Sequence, residues 1–155
     1  MDTTEPIGAL FGHVASILRR QADQVLQEQL GIGLSQLAIL AALEKQPKTS
    51  QRKLSAILGQ TEASISRQTV LLSAKGFISV QTDPAERRRH LVHALPKGSK
   101  VARAAAELLQ QFYASVFGSL QARGQDQLRD FLATLHQQTC ASGNRLSCDL
   151  AIRDD

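Results

Sequence analysis

The side chains suited to molecular recognition fall in two short runs. Thr61, Ala63, Ser64, Ser66, Arg67 and Gln68 lie in TEASISRQ, and Arg87, Arg88 and Arg89 follow Glu86 in DPAERRRH. Hydroxyls, a carboxamide and a guanidinium can bond to base edges and phosphates, and the small residues Ala63, Ser64 and Ser66 let a backbone approach a groove closely. Three consecutive arginines repel one another unless a polyanion lies nearby, and a narrow minor groove concentrates the negative potential that suits them. Glu86 is expected to pair with one of the three and leave two for DNA. Gln51 and Arg52, at the exposed start of another helical stretch, add polar contacts of the kind that fix register on phosphates.

Other chemistries have thinner support. His90 and His93 are three apart on an expected strand, so they point to opposite faces and cannot share a metal ion. His136 and Cys140 are four apart on an expected helix, but no further ligand accompanies them and no metal is assigned. No HExxH, GxSxG, phosphate-binding glycine loop or paired catalytic carboxylates occur, so neither an enzyme nor a cofactor is expected. Cys140 and Cys148 are joined by ASGNRLS, a spacer long enough for the thiols to meet. That makes them candidates for a redox switch, against the alternative of incidental thiols in a polar tail where only Arg145 is near to lower a thiol pKa.

The charge distribution favours a polyanionic partner. The net charge of +4 hides a segregation: residues 45–100 carry +8, residues 1–44 carry −3 and residues 101–155 carry −1. Cations gathered on one region attract a duplex and release its counterions. With five Phe, one Tyr and no Trp, the chain lacks the aromatic platform on which single-stranded nucleic acid stacks. Its 155 residues fit a single domain. The absence of a basic region ahead of an apolar run, and of any segment near about 18 apolar residues, leads to an expected cytoplasmic location.

The elements that must position these residues follow from periodicity and punctuation. Ile7, Leu10, Phe11, Val14, Ile17, Leu18, Val25 and Leu26 recur at helical steps over residues 7 to about 30. Ser35 is the expected N-cap of a short, largely buried helix that Pro47 stops. Thr49 or Ser50 caps a third helix with Leu54, Ile57 and Leu58 on one stripe, and Gly59 closes it. Thr61 then caps a fourth helix to about Lys75, seated by Ile65, Thr69 and Leu72, with Gly76 as its stop. A helix, a glycine-containing turn of about three residues and a second helix make a helix-turn-helix.

Residues 77–82 and 90–95 are expected strands with DPAERRR as their turn. Pro96 opens a long helix carrying Val101, Ala105, Leu108, Leu109, Phe112, Val116, Phe117 and Leu120, which Gly124 is expected to break. A last helix presents Leu128, Phe131, Leu132 and Leu135, and residues 141–155 read as a flexible polar tail.

SISRQTVLLSAKGFI and DPAERRRHLVHALPKG resemble the recognition helix and wing of the MarR family of bacterial winged helix-turn-helix regulators. The motif likeness covers residues 34–98, and the flanking helices extend it over most of the chain. Two positions depart from the family pattern. Glu86 stands where Asp is usual, and Leu95 stands where a Thr commonly caps the next helix, a loss of about 1 kcal/mol of capping.

The resemblance implies a mainly α fold with a small β-wing: a winged helix-turn-helix at residues 34–95 and long dimerisation helices at residues 1–33 and 96–140, in one domain. It implies a homodimer that binds double-stranded DNA at a palindromic operator as a transcriptional regulator, of the repressor kind, released by a small aromatic effector or an oxidant. The expected dimer contacts are Leu10, Val14, Leu108, Phe112, Val116, Leu120, Leu128, Phe131, Leu132 and Leu135, because the terminal helices carry more apolar surface than one small domain can cover. An effector crevice would involve Phe11, His13, Ile17, Leu37, Phe112 and Val116, each of which also fits plain core packing. The alternative reading is a winged-helix module that binds other proteins without specific DNA recognition.

Overall fold

A computed structural model describes residues 6–140. Helix α1 (Ile7–Leu30) leads into α2 (Leu34–Lys45), a two-residue strand β1 (Thr49–Ser50), α3 (Gln51–Leu58), α4 (Glu62–Ala74), strands β2 (Ile78–Asp83) and β3 (Glu86–Ala94), then α5 (Pro96–Phe117) and α6 (Ala122–Cys140). The fold is mainly helical, with one antiparallel sheet in the order β1-β3-β2. Among the described residues no single helix is long and apolar enough to cross a membrane.

The core is built where the helix-turn-helix meets the sheet. Leu26 from α1, Ile39, Leu40 and Leu43 from α2, Leu54 from α3, Ile65 and Leu72 from α4, Ile78 and Val92 from the sheet and Ala105 from α5 are all essentially sealed from water. Burying such side chains contributes about 1.5–3 kcal/mol each. The orientation of α4 is therefore fixed by packing on its inner side.

Helix ends hold the frame together, partly through distant residues. The expected N-cap Ser35 lies inside α2, whose cap is Gly33. The Leu34 N–H donates to Oδ1 of Asp23 at 2.7 Å, and Gln36 Oε1 accepts from the Gly33 N–H at 3.4 Å. A carboxylate on α1 does the work that a local serine would have done. Ser50 and Thr61 behave as expected, accepting the backbone N–H groups of Lys53 and Ser64 at 3.1 Å each. Gly59, with φ of 61°, closes α3.

The sheet differs from the expected hairpin in three ways. Strand β1 has no counterpart among the expected elements: Thr49 pairs with Val92 and Ser50 with Leu91, so the segment before α3 is both strand and cap. Two residues give no periodic signal, and only the partner strand defines them. Second, Pro84 and Ala85 alone make the turn, and the arginines expected there belong to β3. Third, Thr82 pairs with His90 and Asp83 with Glu86. Arg87, Arg88 and Arg89 are thus three residues set against one step of β2, an irregularity that lifts them out of the ladder.

The join into α5 is tight. Leu95 is its N-cap without a side-chain bond and Pro96 occupies the first turn, as the sequence implied. The Leu95 N–H donates to Phe77 O at 2.9 Å. A Cβ on Gly98 would sit 2.0 Å from that same carbonyl oxygen. Only glycine permits this approach of α5 to the end of the helix-turn-helix.

The break between the last two helices falls earlier than expected. Gly124 lies inside α6, and the chain leaves α5 at Gly118. Gln125 Nε2 donates to Phe117 O at 3.2 Å and to Leu120 O at 3.1 Å, so α6 satisfies carbonyls at the end of α5. Leu120 consequently lies in the connection, not on the long helix.

Candidate nucleic-acid interface

Helix α4 has one sealed side and one open side. Ile65, Thr69 and Leu72 are buried, while Ala63, Ser66 and Arg67 are exposed and Ser64 and Gln68 are half-buried. The Thr69 hydroxyl donates to Ser66 O at 2.9 Å and accepts from Gln51 Nε2 at 2.8 Å. Gln51, expected as a DNA contact, is thereby engaged as a strut between the start of α3 and the inner side of α4. Thr61 uses its hydroxyl as the helix cap, and Ser64 Oγ donates to Gln60 Oε1 at 3.2 Å. Arg67 forms no ion pair among the described residues and is exposed on the same side of α4 as Ala63 and Ser66.

The cations flanking α4 come from two other elements. Arg52, at the start of α3, has its Nε 4.0 Å from Glu62 Oε1, with both side chains mostly exposed. Such a loose surface pair contributes little, so the guanidinium stays available. In the wing, Asp83 is the organiser: Oδ1 accepts the Ala85 N–H at 2.9 Å, and Oδ2 lies 3.6 Å from Arg89 Nε. The expected partner Glu86 forms no ion pair among the described residues. Asp83 wins because its carboxylate, on the facing strand and largely buried, is already oriented by the turn. One arginine is held, by a different acid from the one expected, and Arg87 and Arg88 form no ion pair among the described residues.

Between the start of α3 and the base of the wing lies a cleft of about 570 Å³. Arg52, Lys53, Arg88, Arg89 and His90 line it, with Glu62 and Glu86 also present. Its floor includes Ser50, the cap of α3. A cation-rich cleft beside a helix start can seat a phosphate, since backbone N–H groups and side-chain charge act in the same direction. The cleft thus brings the start of α3 and Glu62 of α4 together with Arg88 and Arg89 of β3. The helix spacing, glycine turn and hairpin are those of a winged helix-turn-helix.

Residues 30–89 match the model of the MarR family. The winged segment is thus similar to the MarR family over those residues. No curated protein matches the sequence. Among solved structures, wild-type MarR from E. coli in its apo form superposes with a TM-score of 0.74 at 19% identity, covering 86% of this chain and 98% of that one. A MarR mutant from E. coli complexed with operator DNA gives a TM-score of 0.65 at 20% identity, covering 80% and 91%. The MepR–DNA complex from S. aureus gives 0.70 at 20% identity, covering 87% and 99%. At these identities the likeness is one of fold, and the coverage extends the MarR architecture over the terminal helices.

Within this winged-helix frame the remaining candidate residues occupy three environments. Leu10, Val14, Leu120, Phe131, Leu132 and Leu135 are exposed, whereas Leu108, Phe112, Val116 and Leu128 are half-buried. A groove of about 740 Å³ between α5 and α6 is lined by Tyr113, Phe117, Leu128, Leu132, Ala133 and His136. Phe11 and His13 are exposed, Ile17 is half-buried and Leu37 packs against the core. None of these four lines the α5–α6 groove or the basic cleft. Cys148 lies outside the described residues, as does the expected tail at 141–155, and Cys140 is the last residue of α6.

Sequence reasoning missed three contributors. Lys53, next to Arg52 at the start of α3, is not among the expected contacts, although it lines the basic cleft. Asp83 was counted as a turn residue, and its orienting role depends on the cross-strand register. Lys75 was treated as the end of α4, yet its ammonium bonds to Gly31 O while Lys97 Nζ donates to Lys75 O at 3.1 Å. These contacts tie the end of α4 to α1 and α5. The separations of 44 and 22 residues hid them from any local pattern.

Proposed function

We propose that this chain is a sequence-specific, double-stranded DNA-binding transcriptional regulator that acts in the cytoplasm as a homodimer on a palindromic operator, with repression as the default sense. The observation that carries this reading is the exposed side of α4, bearing Arg67 and small residues, flanked by Arg52 and Lys53 on one element and Arg87 and Arg88 on another. In this reading Ala63, Ser64, Ser66, Arg67 and Gln68 enter the major groove, Arg52 and Lys53 hold the phosphate backbone, and the two free wing arginines enter the adjacent minor groove.

The MarR and MepR structures solved with DNA support it by analogy of fold. The exposed Leu10, Val14, Phe131, Leu132 and Leu135 support a partner subunit, because a monomer would leave them in water. Dimerisation would set two copies of α4 about one DNA turn apart. Release by a small aromatic effector near Phe11, His13, Ile17, Leu37 and Phe112, or by oxidation of Cys140 and Cys148, is the regulatory part of the proposal.

Selection of bound fragments from the source genome, followed by fluorescence anisotropy on a recovered duplex, tests the function. The Arg67→Ala and Ser64→Ala variants should lose discrimination between the selected and a scrambled duplex, while Arg52→Ala should weaken both about equally. Recovery of no preferred fragment, with no duplex binding at low salt, would overturn the proposal in favour of a protein-binding module.

A further inference from the structure

Ten large apolar side chains are conspicuously exposed among the described residues, and eight of them lie on α1, α6 or the link before α6. The other two, Val70 and Leu71, are on α4, at 65% and 48% exposure. Val70 follows Arg67 by three residues and Ala63 by seven, which places the three along one line of the helix surface. Leu71 turns about 100° away from Val70. The buried line of Ile65, Thr69 and Leu72 is on the other side, so the fold gains nothing from an apolar residue at 70. Valine there is also a poorer helix former than alanine.

We infer that Val70 reads the 5-methyl group of a thymine in the major groove, one helical turn beyond Arg67. This rests on the DNA-binding reading above and assigns it a specificity residue that no polar motif indicated. In the major groove the apolar feature of a base edge is the thymine methyl, whereas the other features are donors and acceptors. A β-branched side chain on a helix has one strongly preferred rotamer, so its methyl groups are held in place before contact. Residues 67 and 70 are separated by about 4.5 Å along the helix axis, against about 3.4 Å between base pairs. The thymine should therefore lie within one or two base pairs of the base read by Arg67. If Arg67 takes its commonest partner, that base is a guanine.

The test uses the full-length protein and a duplex selected from a random-sequence pool. Each thymine is replaced in turn by deoxyuridine, which removes only the methyl group. For the wild type, one thymine per half-site should cost about fourfold in affinity when demethylated, the scale of one buried methyl. Val70→Ala, whose folding is checked by thermal melting, should bind the parent duplex more weakly and show under twofold loss at that same position. A 5-bromouracil at the position should restore wild-type binding, because bromine fills the volume of the methyl. If no thymine shows a demethylation cost that depends on residue 70, the inference is wrong even though DNA binding stands. If the selection returns no preferred sequence, the DNA-binding reading fails and takes the inference with it.

Discussion

The winged segment and the terminal helices treat apolar surface in opposite ways. In residues 34–95 the large apolar side chains are mostly buried, and the exterior carries Arg52, Lys53, Arg67, Arg87 and Arg88. On α1 and α6 the exterior carries Ile7, Leu10, Phe11, Val14, Phe131, Leu132 and Leu135. The first region buries its apolar residues in a core completed by Leu26 of α1 and Ala105 of α5, and presents charge. The second presents apolar side chains to solvent, the surface that the proposed partner subunit would remove from water. On the proposed function, recognition and assembly are thus separated along the chain, and Lys75, Lys97 and Gly98 lie where the two regions meet.

The comparison breaks most severely at that junction. Gly98→Ala drives a Cβ into Phe77 O and should destabilise the whole chain by about 3 kcal/mol or more, read as a lowered midpoint in urea unfolding. If stability were unchanged, α5 would not be bound to the helix-turn-helix as closely as described. Next in size is the assembly surface. Leu132→Glu combined with Leu135→Glu should yield a monomer by sedimentation with the helix-turn-helix still folded, and weaken palindromic duplex binding by about 100-fold through lost bivalency.

Smaller effects sharpen the division inside the recognition region. Arg87→Ala with Arg88→Ala should lower duplex affinity by about tenfold at moderate salt and flatten its salt dependence, without altering thermal stability. Arg89→Ala should cost less, because Asp83 already engages that guanidinium at 3.6 Å. Smallest is Ser50→Ala, which removes the α3 cap and should reduce stability by about 1 kcal/mol.

Much of this organisation was legible in sequence because it is local. Gly59, Thr61 and the Ile65, Thr69 and Leu72 spacing define the helix-turn-helix and the inner side of α4, and the structure follows them within a residue or two. What was not legible depended on distant partners. Asp23 caps α2 from 11 residues away, β1 exists only through Val92 and Leu91, and Gln51 is occupied by Thr69. The wing arginines were placed in a turn because charged residues carry no strand signal, whereas backbone pairing with β2 put them on β3. Val70 escaped notice for a related reason: an apolar residue in a helix reads as core until its exposure is known.

If the cationic exterior of the winged segment binds duplex DNA, affinity must fall steeply as salt rises. With six to ten phosphates contacted per dimer, binding of a selected duplex should weaken by about 10³–10⁵-fold between 50 and 200 mM salt. A salt-insensitive affinity, equal for selected and scrambled duplexes, would contradict the account.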